Sequence, residues 1–230
     1  MKGIRKLKWY ICTALLGTAI WSVYTNGIPK YVEKLTFSNI QRGKETEFSN
    51  NDEKVILSNV PLIQQLPELD RGCEVTSLAM MLQYAGVRGN PNEGFVGNIY
   101  TFSESGYGVY HGPLFQLAEK YLPNKAVDLT GKNIEEIYKR VKAGQPVVMI
   151  TNATFAPLDA DEFTTWETNS GDVSITYNEH CVVLIGYDKE FVYIRDPLNE
   201  SLDVKIPRES FEKAWMQMGS QAISYVKSSK

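Results

Sequence analysis

Histidine is the scarcest chemically useful residue in this chain of 230 residues, with only His111 and His180. Neither stands near a Cys, His or carboxylate at the spacing of the usual zinc patterns, so no metal and no cofactor is expected. Cysteine is almost as scarce, and an odd set of three does not describe a disulfide framework even in an exported protein. Positive charge is not in excess, since 24 Lys and Arg face 27 Asp and Glu for a net charge of −3. Without a basic field, or a Lys/Arg stripe with interleaved aromatics, nucleic acid is not an expected partner. No Gly-rich loop leads into a helix with the Lys of a P-loop, which excludes the phosphate-cradling NTPases. Repeats and low-complexity tracts are absent. The balance of 43% hydrophobic and 22% charged residues is that of a chain that folds, with room for one substantial domain and an appendage.

The appendage comes first. Lys2, Arg5, Lys6 and Lys8 precede an uncharged run from Trp9 to Tyr24, the basic and apolar regions of an export signal. A buried helix would explain the run but not its flanking cations. No small-x-small cleavage site follows Tyr24, so an uncleaved anchor is preferred to a cleaved signal, although the run falls short of the roughly 20 residues of a full span. Positive residues stay inside, which leaves the N-terminus cytoplasmic and the rest outside, either tethered to the cell membrane or secreted. Cys12 lies in the run without the small residues that precede a lipid-modified Cys. Residues 25–54 are polar and weakly patterned, as in a linker, and 55–230 form the folded domain.

Within that domain the helical period comes before the strand period. Val75, Leu78, Ala79, Leu82 and Ala85 recur at helical spacing up to Gly86, which places Cys73 at a helix N-terminus. A second helix runs through Leu114, Leu117, Ala118 and Tyr121, opening with Pro113. A third starts at Asn133 with Glu136 as a capping box and ends at Gly144. Val147–Ile150, Val182–Ile185 and Phe191–Ile194 are short apolar, β-branched runs, read as strands. Pro207–Trp215 reads as a helix and Ala222–Val226 as a last strand. Helices ahead of strands in one domain predict an α+β fold, with the N-terminal helices packed on an antiparallel sheet.

A catalytic Cys acts as its thiolate, and a helix N-terminus or a neighbouring imidazolium lowers the pKa that stands in the way. Cys73 has the first, presented after a Pro67–Gly72 loop, whereas Cys181 follows His180 in a strand and alternates to the opposite face as a packed thiol. His180 opens that strand. If Asp188-Lys189-Glu190 is the hairpin loop, Tyr187 pairs with Phe191 and Asp196 stands opposite Val182, diagonal to His180 on one face. A carboxylate there fixes the imidazole tautomer that a general base requires. A one-residue change of loop length would send Asp196 to the other face. Gly72 and the Gly-rich, aromatic loop containing Gly106, Gly108, Tyr110 and His111 are candidate substrate-binding residues, suited to the close approach of an extended backbone. The stretch Thr154–Asn178, with Asp159, Asp161, Glu162 and Asp172, is a candidate rim of the same cleft.

Val60-Pro61-Leu62-Ile63-Gln64-Gln65, Leu69-Asp70-Arg71-Gly72-Cys73-Glu74-Val75-Thr76-Ser77-Leu78, His180-Cys181-Val182-Val183-Leu184-Ile185-Gly186-Tyr187-Asp188 and Arg195-Asp196-Pro197 together resemble the bacterial peptidase domains of cysteine-peptidase family thirty-nine. That is the bacteriocin-processing family, here in its stand-alone branch. The resemblance covers about Val55 to Val226 and implies a papain-like fold with Cys73, His180 and Asp196 as a triad. It also implies that Gln65 donates its side-chain N–H to the oxyanion beside the Cys73 backbone N–H. Gln64 is the rival, and the Pro-x-Ile-x-Gln spacing favours Gln65. The membrane and ATPase domains of transporter-fused members are missing, so cleavage of double-glycine leaders does not carry over. The expected reaction is hydrolysis of a peptide or protein substrate. A non-catalytic peptide-binding module and an acyltransferase using the same triad are the alternatives.

Overall fold

A computed structural model of the chain describes residues 54–67, 69, 72–87, 111–168 and 171–227. The expected anchor, the expected linker up to Glu53, and Gly106, Gly108 and Tyr110 lie outside the described residues. Helix α1 (Cys73–Tyr84) opens directly on the cysteine and ends before Gly86, whose φ of 90° is the left-handed conformation that a glycine adopts without a Cβ clash. Helix α2 (His111–Tyr121) begins two residues ahead of Pro113, which therefore sits in the first turn, where no intrahelical N–H bond is lost. Helix α3 (Ile134–Lys142) is capped as its sequence predicts, with the Asn133 side chain accepting from the Glu136 N–H. Glu136 does not close the box in return. Its carboxylate is drawn to Lys139 on the exposed face. Helix α4 (Arg208–Gln217) follows the last crossover.

The strands are β1 (Val55–Ile56), β2 (Ala126–Asp128), β3 (Val147–Asn152), β4 (Thr164–Thr168), β5 (Gly171–Ile175), β6 (Glu179–Tyr187), β7 (Phe191–Arg195), β8 (Val204–Pro207) and β9 (Ala222–Tyr225). β4 and β5 form a separate hairpin within the Thr154–Asn178 stretch read as a candidate cleft rim. The rest form one sheet in the order β2-β9-β3-β6-β7-β8, with β1 added along β6, and every pairing is antiparallel. The two faces of the sheet are buried by different helices. Cys181, Val183 and Ile185 of β6 pack with Leu78 and Met81 of α1 and Leu117 of α2. Val182 and Leu184 pack with Ile137 of α3 and with Phe211 and Trp215 of α4. This explains why β6 reads as an unbroken apolar run instead of alternating: both faces are dry. Each fully buried Leu, Ile or Phe contributes about 1.5–3 kcal/mol of transfer free energy.

The β6–β7 register departs from the sequence expectation at one end and meets it at the other. Tyr187 pairs with Val192, not Phe191, so the connection is one residue longer than Asp188-Lys189-Glu190. A bulge between Leu184 and Gly186 absorbs that extra residue, and below it Leu184 faces Ile194 and Val183 faces Arg195. The strand that carries Asp196 therefore arrives at the open end of the hairpin in the expected phase.

Candidate active site

His180 is the second residue of β6, opposite Thr151 of β3. Its Nε2 stands 2.8 Å from Asp196 Oδ1, just past the end of β7. The same oxygen accepts from the Leu198 N–H at 2.9 Å. Burial pushes the Asp196 carboxyl up, but the His180 hydrogen bond and charge and the Leu198 N–H outweigh it and hold the group below its ordinary value. An ionised carboxylate on Nε2 fixes the tautomer, which leaves Nδ1 as the basic nitrogen. The Phe155 ring lies 6.0 Å from the imidazole, on the side of Phe211. Its backbone has a φ of 52° and is tied by Phe155 N–H to Asn152 O and by Ser210 Oγ to Phe155 O. Nothing in the local sequence marks Phe155 as a neighbour of His180.

Cys73 sits at the first position of α1, 8% exposed. The helix is fastened over β6 by the Ser77 hydroxyl, which donates to Cys181 O at 2.9 Å. The thiol donates to Glu74 Oε2 at 3.2 Å, and no hydrogen bond joins it to His180 among the described residues. Its proton is held firmly. Burial first, then the acidic side chains of Glu74 and Glu179, push the thiol well above its usual pKa. The helix N-terminus was expected to lower that pKa. Removal from water and two acidic neighbours outweigh the helix dipole, whose effect is typically about 0.3–1 kcal/mol. Strand alternation carries Glu179 and Cys181 to the α1 face and His180 to the Phe155 face. Cys73 and Cys181 are both buried free thiols, so no bridge removes the candidate nucleophile.

The segment before α1 is laced to the end of β7. Arg195 donates to Ser58 O and Val60 O at 2.9 Å, and also to Leu202 O. Gln65 N–H donates to Pro197 O at 3.0 Å. Gln64 and Gln65 then differ sharply. Gln64 is committed to the surface, its Nε2 donating to Asn199 O at 2.9 Å, whereas Gln65 is buried with an unpartnered Oε1. Gly72 is explained by packing, since a Cβ there would stand 2.6 Å from Leu69 Cβ. His111 Nδ1 pairs with Asp128 Oδ2 at 2.7 Å, and its backbone N–H donates to Gln221 Oε1. Asp128, Gln221 and Glu179 lie at one end of the sheet, so this half-exposed second pair stands across β9 and β3 from His180. No group of three or more metal-ligating side chains occurs among the described residues.

Residues 57–223 match the Peptidase_C39 like family over most of the chain. The chain belongs to that family. A crystal structure from Bacillus anthracis, assigned to the C39-like peptidases, is 81% identical and superposes with a TM-score of 0.69, covering 78% of this chain and all (100%) of that one. The uncharacterized protein YvpB of Bacillus subtilis (strain 168) is 41% identical over 223 residues, 87% of this chain and 86% of its own. A cysteine protease of Carica candamarcensis overlaps with a TM-score of only 0.40 at 13% identity, too slight to bear on the fold.

In this C39-like chain the His180-to-Asp188 motif divides in two. Its second half is structural. Gly186 lets β1 cross, because a Cβ would meet Val55 O at 2.3 Å. Tyr187 stacks on Tyr138 with ring centroids 4.3 Å apart, and Arg208 lies over the Tyr138 ring. Asp188 closes the turn by accepting from the Glu190 and Phe191 N–H groups and the Tyr193 hydroxyl. Glu74 and Glu179 were not singled out as site residues by the sequence. The available signal was the alternation that sets Glu179 on the face of Cys181.

Proposed function

We propose that the protein is a cysteine peptidase with a papain-like site, acting on a peptide or protein substrate outside the cytoplasm and tethered by its N-terminal segment. The observation that carries the reading is the buried, oriented His180–Asp196 pair, in a chain of this family whose α1 begins with a free cysteine. Asp196 holds Nε2–H, so Nδ1 takes the Cys73 proton as the sulfur attacks the substrate carbonyl. Gln65 and the Cys73 backbone N–H donate to the oxyanion. The imidazolium then protonates the leaving amine, and water, deprotonated by the same imidazole, releases the acyl group and restores the thiol. Because the resting thiol is neutral and bonded to Glu74, the proton transfer belongs to the catalytic cycle and not to a preformed ion pair.

That same thiol favours one second reading: a peptide-binding module that does not turn over. The two separate in one experiment, incubation of the full-length chain with an unfolded protein and a peptide library, with cleavage read by mass spectrometry. The peptidase reading expects products from wild type and none from Cys73→Ser or His180→Ala. Binding of peptides by all three proteins with no cleavage by wild type would establish the module instead.

A further inference from the structure

We propose that Glu74 and Glu179 form a buried carboxyl pair that shares one proton and keeps Cys73 a neutral thiol until His180 takes its proton, making both positioning residues of the site. The proposal rests on the peptidase reading for its role, but not for its test. Glu74 is buried in the first turn of α1 and accepts the thiol hydrogen bond at 3.2 Å. Glu179, at the start of β6, lies by strand alternation on the face that α1 covers, within electrostatic reach of both Glu74 and the thiol. The residue keeps some exposure, yet its Oε1 is buried with no partner. A buried carboxylate oxygen left without a donor is costly, whereas a protonated carboxyl carries no charge to solvate.

Two carboxyls in mutual electrostatic reach and out of water do not both ionise, so the pair retains a proton. Burial first, then the charge of Glu74, holds Glu179 well above the ordinary carboxyl range, which identifies it as the protonated member. The titratable groups that face the thiol are Glu74 of α1 and Glu179 and Cys181 of β6. β3 contributes Ile150 to this face and α2 packs through Leu114, Leu117 and Ala118, while Tyr84 of α1, Tyr121 of α2, Tyr193 of β7 and Tyr225 of β9 belong to the same cluster without acting on the thiol. A second negative charge would arise if Glu179 ionised, and would make thiolate formation harder still. A neutral thiol is the slow form toward oxidants and alkylating agents. The arrangement therefore protects the nucleophile at rest, and the Asp196-oriented imidazole supplies its activation.

The test is iodoacetamide alkylation of the full-length chain from pH 5 to 10, with labelled peptides mapped to separate Cys73 from Cys12 and Cys181. For wild type the logarithm of the Cys73 rate is expected to rise with a stretch of slope below one, where Glu179 ionises and pushes the thiol further from its thiolate. In Glu179→Gln that stretch disappears: the variant tracks wild type at low pH and runs faster above it. Glu74→Gln replaces the carboxyl that accepts the thiol hydrogen bond with a neutral amide and labels about tenfold faster at pH 7, the equivalent of one pKa unit. A wild-type slope of one up to a single midpoint, or glutamine variants no faster than wild type, would overturn the pair. If neither variant folds by circular dichroism, the wild-type slope alone decides. Peptide hydrolysis has no part in the readout. The expected profiles from a protein that cleaves nothing would leave the pair standing and remove the peptidase reading, and the reverse result would do the opposite.

Discussion

The two ends of the β6–β7 hairpin are built from the same strands and obey different rules. At the turn end, Asp188 is saturated by two backbone N–H groups and a tyrosine hydroxyl, and Arg208 is stacked and bonded. At the open end, buried polar atoms are left without partners: Gln65 Oε1, Thr76 Oγ1, Thr151 Oγ1 and Glu179 Oε1. Elsewhere among the described residues only Tyr225 OH shares that condition. Thr76 is one turn from Cys73, Thr151 lies opposite His180, and Glu179 precedes it. A buried polar atom without a partner costs about 1–3 kcal/mol, so a fold does not gather four at one place for stability. On the peptidase reading proposed above, the contrast separates residues that hold the hairpin from residues that face the substrate.

The largest effect that would sharpen this contrast is expected at Gln65. If its amide waits for an oxyanion, Gln65→Ala lowers kcat/KM by about 10²–10³, the usual loss for one preorganised donor, while melting temperature changes little. Gln64→Ala, which removes an exposed bond to Asn199 O, leaves hydrolysis near wild type. Peptide-cleavage kinetics on the two variants check this directly. Equal losses would show that the neighbouring bonds to Pro197 and Asn199, and not the buried amide, are what the site needs.

The opposite signature belongs to Gly186. A Cβ at 2.3 Å from Val55 O meets backbone, which cannot swing aside as a side chain would. Gly186→Ala should cost about 1–3 kcal/mol, the typical price of forcing extra volume into a packed contact. Thermal melts read this as a fall of several degrees, with activity retained below the transition. Full stability with lost activity would place Gly186 in the chemistry and erase the division.

Legibility follows the same division. The helices were readable because their caps and periods are local: Asn133 and Gly86 act within a few residues of themselves. A three-residue hairpin loop predicts His180 beside Asp196; the connection is one residue longer, and the bulge at Ile185 restores the phase. Bulges answer to packing across the sheet, here the crossing of β1 at Gly186, and no local signal announced it. Short strands such as β1, β2 and β8 exist only because neighbours complete them. The acidic pair is the deepest miss. Glu74 and Glu179 are 105 positions apart in sequence and meet only when α1 lies on β6. A helix N-terminus read alone argues for an easily ionised thiol, which burial and those two acidic side chains reverse.

The smallest expected effect compares the two ends by acid. Burial raises the Asp188 carboxyl, but the Tyr193 hydroxyl and the Phe191 and Glu190 N–H groups more than offset it, and the net displacement is downward, as it is for Asp196. A carboxyl with a depressed folded pKa stabilises the protein above its unfolded value, about 3.9 for Asp. That contribution is lost as pH falls through the folded value. Wild-type melting temperature should therefore drop between pH 7 and 3, and either Asp→Asn variant should flatten the drop. Asp188 is half-buried and more screened by solvent, while Asp196 is buried with the imidazole, so Asp196→Asn should flatten it more. Melts across that range decide the order. If Asp188→Asn flattened it more, the turn would hold the greater electrostatic stabilisation, and the open end would owe its carboxylate to orientation of His180 alone.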